Sequence, residues 1–342
     1  MRTTRLRSIV AVLSALLLLA GCGDGGVSAD GDGAVAEAED PAAEGEAVEL
    51  DIPEELRRLT FVGGTDGSSA NAWLIGATEL FNQHLGLSTT VQSGDGTQNN
   101  LLLENGEITA GIANPVGMVE VTGNPDALEQ TQVRTLWNMF QTALTVIVAP
   151  ESDAEVLSDL EGARIAVGPG PETSLFNLAM ECIDLTTDDF EFYNIGKEEA
   201  VAAYRDNQIE AMVGLGPTPT PQWVEAMGGR RGGRVIGVDA EIIDCLADTG
   251  LYVPSEIPAG SYEGQDEAIP SVEQWFYASV TEDFPEDLAY EMARVLDENH
   301  DDLVATFAGA ERATAENTAN AIGFALHPGT QRYLEEKGLL GN

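Results

Sequence analysis

The chain has 342 residues, 43% of them apolar and 6% aromatic, and carries a formal net charge of −42 from 58 acidic and 16 basic side chains. That length and apolar content suffice for two compact lobes with their own cores, while so few bases exclude binding nucleic acid through its phosphates, which needs clustered Lys and Arg. The same charge repels anionic lipid headgroups unless the chain is anchored, and because the acids are spread along the whole sequence they favour solvation in a salty environment over capture of a cationic partner.

Arg2, Arg5 and Arg7 precede an apolar stretch from Ile9 to Ala20 that only Ser14 interrupts, and Leu19-Ala20-Gly21-Cys22 closes it. This is the pattern of a secretory signal, too short to span a bilayer, which takes about 20 apolar residues. The closing residues resemble a bacterial lipobox, whose cysteine thiol receives diacylglycerol and becomes the mature N-terminus. Residues 1–22 are then a lipoprotein signal peptide, and the protein works outside the cytoplasmic membrane, held to its surface through lipidated Cys22. An ordinary cleaved signal with Cys22 near the cut is the alternative. Gly23 to Asp51 contains no Lys or Arg and almost no large apolar residue, so residues 23–58 are expected to form a disordered, self-repelling tether.

Leu59–Val62 reads as a strand, followed by Gly63-Gly64-Thr65-Asp66-Gly67-Ser68-Ser69 and a helix over Ala70–Phe81 with Trp73, Leu74, Ala77, Leu80 and Phe81 on its apolar side. Thr89–Gln92 reads as a strand, Gly94–Thr97 as a turn, Gln98–Glu104 as a helix and Thr109–Ile112 as a third strand ending at Asn114-Pro115. A second set begins after a strand at Thr145–Val148. It comprises a short helix at Leu157–Leu160, strands at Arg164–Val167, Phe190–Tyr193 and Ala211–Val213, and helices at Ser174–Cys182 and Lys197–Arg205. The tail has a strand near Gln274–Val280 and helices at Pro285–Glu298, Asp301–Phe307 and Pro328–Glu336. Strand, Gly/Ser/Thr-rich loop and helix in repetition predict an α/β fold with a largely parallel sheet.

Gly64–Ser69, Gly94–Thr97 and Gly168–Thr173 each follow a strand and open a helix. Their glycines permit tight turns, their hydroxyls cap helices, and helix starts offer free N–H groups to a polar ligand. Ligands of open α/β sheets lie at this carboxyl end of the strands. None of the three loops has the lysine of a phosphate-gripping motif, and neither Gly-x-Ser-x-Gly nor His-Glu-x-x-His occurs. His84, His300 and His327 are far apart and read as structural. No catalytic residue, cofactor or metal is expected. With Cys22 accounted for by lipid, Cys182 and Cys245 form a disulfide or remain two buried thiols.

The stretch Tyr252-Val-Pro-Ser-Glu-Ile-Pro-Ala-Gly-Ser-Tyr262-Glu-Gly264-Gln-Asp-Glu-Ala-Ile-Pro270 resembles the signature of the TAXI family of TRAP-transporter solute-binding proteins, and so does the tail His327-Pro-Gly-Thr-Gln-Arg-Tyr-Leu-Glu-Glu-Lys-Gly338. Gly64-Thr65 with Gly76, Thr97 with Asn100, Gly168, Gly170 and Thr173, and Gly216-Pro217-Thr218 are similar to the family's four loops. The resemblance spans about Leu59 to Gly341 and implies a two-lobed type II periplasmic-binding fold with mostly parallel sheets and a ligand cleft between the lobes. Lobe one would take residues 59–141 plus 249–342 and lobe two residues 142–248. It implies a monomeric receptor that captures a small organic solute, a carboxylate or amino acid, and delivers it to a TRAP permease driven by an ion gradient. A receptor of the same fold that presents its solute to a membrane kinase or chemoreceptor is the alternative.

The residues expected to line the cleft are Thr65, Asp66, Ser68, Ser69 and Trp73, then Thr97, Asn100 and Asn114, faced by Thr173, Pro217 and Thr218. Trp73 either stacks on the solute or packs in the core. Asp66, Asp95 and Glu172 stand where the family has glycine. Facing the pocket they would disfavour a dianionic solute and favour an amine; at the surface they only add charge.

Overall fold

The computed structural model describes residues 54–341 except Pro125. Cys22, the signal-like stretch and the acidic stretch to residue 53 lie outside the described residues. Glu54–Arg58 forms a 3-10 turn, inside the expected tether, and Leu56 packs on the first core.

The first half runs through β1 (Thr60–Val62), α1 (Ser69–Leu85), β2 (Thr90–Gln92), α2 (Gln98–Glu104), β3 (Ala110–Ala113), α3 (Pro115–Thr122) and α4 (Ala127–Gln130). The long strand β4 (Val133–Val148) then leads into the second half. There follow β5 (Arg164–Val167), α5 (Pro171–Glu181), β6 (Glu191–Asn194), α6 (Lys197–Arg205), β7 (Ala211–Gly216), α7 (Pro221–Met227), β8 (Arg234–Ile236), α8 (Ala240–Asp248) and β9 (Val253–Ile257). A second long strand, β10 (Ile269–Thr281), returns to the first half, which α9 (Glu286–Glu298), α10 (His300–Thr306), α11 (Ala315–Ala319) and α12 (Pro328–Glu336) complete.

All ten strands belong to one sheet ordered β2-β1-β3-β10-β4-β7-β5-β6, with β8 on β4 and β9 on β10. The flanks are parallel, as the strand–helix rhythm predicts. The centre is antiparallel, because β4 and β10 pass between the halves in opposite directions without a crossover helix. Their mutual register shifts at Phe276/Tyr277 and again at Ala278/Ser279, the sign of β-bulges in the ribbon. Two sheet flanks joined by two crossing strands make this the periplasmic-binding-protein fold.

Local chemistry explains the elements. Ser68 accepts from the Asn71 N–H at 3.3 Å to start α1, and Gly86 ends it with φ of 63°. Trp73, Leu74, Ala77, Leu80 and Phe81 then meet Phe61 of β1 and Met292 and Leu296 of α9. Each such large side chain stabilises the fold by about 1.5–3 kcal/mol when fully buried. A second cluster joins Val146, Ile165, Phe176 and Met180, and a third joins Ile147, Tyr204, Met212 and Trp223. Leu251, Tyr252 and Val272 pack in the second cluster, and Ile257 and Tyr262 in the third. The stretch 251–272 therefore packs largely on elements of the second half. The pairing of β9 with the early part of β10 carries it there. Cys182, at the end of α5, and Cys245, in α8, form a disulfide with their Cα atoms 6.0 Å apart.

Candidate functional site

A cleft of about 660 Å³ opens where the two flanks of the sheet meet. Thr65 and Ser68 line it from the β1–α1 loop, and Pro169, Pro171 and Glu172 line it from the β5–α5 loop. Lys197 and Glu198 open α6 beside them, so the walls come from the carboxyl ends of strands in both halves. The floor is the crossing ribbon. Gln274 of β10 pairs directly with Thr142 of β4, and both line the cleft next to Phe276. The Thr142 Oγ1 and Gln274 Oε1 atoms are buried without any hydrogen-bond partner, in contrast to most buried polar atoms. Phe276 is half-buried and stacks on Phe140, centroids 5.1 Å apart, which fixes its ring against the floor.

Charge in the cleft is organised around Glu172. Its Oε1 receives the Lys197 ammonium and the Leu215 N–H, the latter at 3.1 Å. Glycine is required around it. A Cβ at Gly168 would stand 1.4 Å from Glu172 Oε2, and one at Gly214 would stand 2.9 Å from the Trp223 ring and 3.3 Å from Glu172 Oε1. Glu198 accepts from Gln222 at 3.2 Å; hydrogen bonding to its carboxylate, from its own backbone first and Gln222 next, holds its pKa below the ordinary value.

The opposite face of the ribbon has its own cavity of about 430 Å³, because neighbouring strand residues alternate sides. Gln141, Glu273 and Trp275 line it with Pro217, Thr218 and Arg312. Glu273 is 3% exposed and binds three donors: Arg312 grips it as a fork at 2.7 and 2.8 Å, and the Trp275 indole N–H reaches it at 2.8 Å.

Of the residues expected to line the cleft, Thr65 and Ser68 do so. Trp73 is fully buried in the first core and has no exposed ring face, so its position fits packing and not stacking on a solute. Asn100 and Asn114 are turned inward: the Asn100 amide donates to the Gly96 and Thr97 carbonyls and accepts from the Asn114 N–H at 3.1 Å, while Asn114 caps α3. Thr97 offers its carbonyl to that network, and the cap of α2 comes from Asp95, which accepts from the Thr97 and Gln98 N–H groups. Thr173 donates to the Gly168 carbonyl at 2.7 Å and accepts from Asn194, which shapes the loop that carries Glu172. Ser69 is the half-buried first residue of α1. Asp66 bonds to the Ser93 hydroxyl and lines a separate groove between α1 and β2. Pro217 and Thr218 belong to the reverse-face cavity. Asp95 thus serves its own turn, Asp66 ties its loop to Ser93, and Glu172 alone of the three acids faces the cleft.

Sequence reasoning missed Thr142, Lys197, Gln274 and Phe276. One signal was available: Lys197 is one of only two lysines; Thr142 and Gln274 are not distinguished in sequence from the other polar residues of their strands. Among the described residues no group of three His, Cys, Asp or Glu side chains could hold a metal ion, and no helix is long and apolar enough to cross a membrane.

The model of the NMT1-like family matches residues 74–338, more than three quarters of the sequence. The chain belongs to the NMT1-like family. Among solved structures, this NMT1-like chain is similar to SsuA, the periplasmic aliphatic sulphonate binding protein of Escherichia coli, with 14% identity over 82% of this chain and 78% of that one and a TM-score of 0.44. It is also similar to the alkanesulfonate-binding protein SsuA of Xanthomonas axonopodis pv. citri bound to MOPS, at 16% identity, 82% and 83% coverage and a TM-score of 0.40. A third is the probable amino-acid ABC transporter extracellular-binding protein ytmK of Bacillus subtilis, at 12% identity, 75% and 97% coverage and a TM-score of 0.44.

Proposed function

We propose that this protein is the extracytoplasmic solute-binding receptor of a membrane transporter. It captures a small organic solute in the cleft and hands it to a permease. One observation carries the reading. The Thr142–Gln274 pair leaves two buried polar atoms unpartnered on the floor of a cleft walled from both halves. Unpaired buried polar groups cost about 1–3 kcal/mol each, and in this reading a solute in the cleft completes the hydrogen bonding of these two. Thr65, Ser68, Thr142, Gln222 and Gln274 then orient polar ends of the solute, Phe276 supplies an apolar face, and the bulged β4–β10 ribbon is the hinge on which the lobes close. The lobes then meet near Thr142 and Gln274.

The permease in this proposal is of the TRAP type, as the signature from Tyr252 to Pro270 implies, and the chain is a monomer anchored by lipid on Cys22. The deciding experiment is mass spectrometry of the solute that co-purifies with the full chain, followed by calorimetric titration of that compound. An unchanged, tightly bound solute supports the receptor; a chemically altered one means catalysis and overturns it. Uptake in membrane vesicles that needs an ion gradient and not ATP supports the TRAP assignment, and ATP-dependent uptake removes it. Cys22→Ser is expected to release the protein from the membrane fraction, and continued retention rejects the anchor.

A further inference from the structure

The charged groups lining the cleft are Glu172, Lys197 and Glu198, and every other lining residue is neutral. The only cation among them is already bound. Lys197 holds Glu172, and with side-chain exposures of 24% and 11% the pair lies largely out of water, where attraction between opposite charges is stronger than at the surface. Glu172 cannot step aside without loss. It also holds the Leu215 N–H, and the space around its carboxyl group exists because residues 168 and 214 lack side chains.

We propose that this cleft takes solutes that bear an ammonium or comparable N–H donor and no carboxylate, and that the Glu172–Lys197 pair is the determinant that turns carboxylates away. The inference rests on the receptor reading above and names its class of solute. A solute carboxylate would have to displace Glu172 from Lys197 and leave it buried without a counter-charge, or enter a space with no free cation; both are unfavourable. An ammonium meets the opposite situation. Gln274 Oε1 is an acceptor without a donor, Glu198 is a carboxylate with no cation on it, and the half-buried Phe276 ring offers a face suited to a cation.

The test is a thermal-shift and calorimetric panel at fixed ionic strength on the full chain and on Glu172→Gln. The probes are putrescine, agmatine, glycerol, succinate and 2-oxoglutarate. Glutamine keeps the size of the side chain and its acceptor for the Leu215 N–H, and circular dichroism reports whether the variant is folded. The wild type is expected to bind an amine-bearing probe and neither dicarboxylate. In Glu172→Gln the freed Lys197 should raise dicarboxylate affinity, and the amine should weaken by roughly tenfold or more, as for other close charge pairs. The variant removes one of 58 acids, so bulk charge cannot produce that change. Dicarboxylate binding by the wild type, or an amine affinity unmoved by the substitution, overturns the charge assignment and leaves the receptor standing. If neither protein binds any probe and no solute co-purifies, the receptor reading itself falls.

Discussion

Replacing Arg312 by methionine tests whether the fork on Glu273 ties the crossing ribbon to the first half. Glu273 is buried, and of its three donors Arg312 supplies two, together with the only counter-charge among them. Methionine keeps much of the apolar stem but leaves the carboxylate with the Trp275 indole N–H alone. Removing one partner of a buried pair costs about 3–5 kcal/mol. The Arg312 side chain is 51% exposed, so water offsets part of that and about 3 kcal/mol is the expected loss. At about 2 °C per kcal/mol for a domain of this size, Tm should fall by about 6 °C. Urea unfolding followed by circular dichroism measures it. Glu273→Gln/Arg312→Met should recover more than half of the loss, because an amide needs no counter-charge. A single variant within about 0.5 kcal/mol of wild type, the range of ordinary surface changes, would refute the reasoning.

Thr142→Val removes a buried hydroxyl that has no partner, so urea unfolding should show stability unchanged or raised, while calorimetry of the co-purified solute should show affinity lowered by roughly tenfold. The Cys182–Cys245 bridge closes a loop of 63 residues, so Cys182→Ser/Cys245→Ser should cost about 4 kcal/mol by chain entropy, read from urea midpoints. His327 is pushed below its ordinary pKa, first by burial, and its neutral ring accepts the Gly329 N–H and donates to the Phe284 carbonyl. The unfolded chain therefore takes up the proton first: this contribution is present above about pH 6.5 and is lost as pH falls below it, by at most about 1.4 kcal/mol per unit. Urea midpoints at pH 7.5 and 5.5 should differ less in His327→Asn than in wild type.

The flanks of the sheet were legible because their signals are local. Helices at Gln98–Glu104, Lys197–Arg205 and Pro328–Glu336 begin and end where capping and periodicity put them. The centre was not legible. Val133–Val148 is buried almost throughout, yet Arg134, Thr135, Asn138, Gln141, Thr142 and Thr145 interrupt its apolar residues without regular alternation, so a strand that serves both halves shows no clear period. Only its last four residues read as strand. β9 and α8 escaped for a related reason: their pairing and packing partners, Ile269–Glu273 and the Cys182 end of α5, are set by tertiary contacts and not by spacing.

The same physics divided the candidate site. Loop residues such as Asn100, Asn114 and Thr173 have the composition of ligand-binding loops, yet a loop that turns tightly must first satisfy its own backbone, and these side chains do that work. The polar groups left over for a solute sit on the ribbon, where strand geometry holds them and no backbone group competes: Thr142 and Gln274 are paired in register, one position from Gln141 and Glu273 on the reverse face. A single ribbon thus carries the floor of the cleft on one side and the Glu273–Arg312 fork on the other. If the ribbon is the hinge proposed above, closing the cleft moves Glu273 relative to Arg312, because Ala310 and Ala313 fix the Arg312 turn in the first core. Arg312→Met should therefore alter solute affinity as well as stability, through the hinge and without touching the solute.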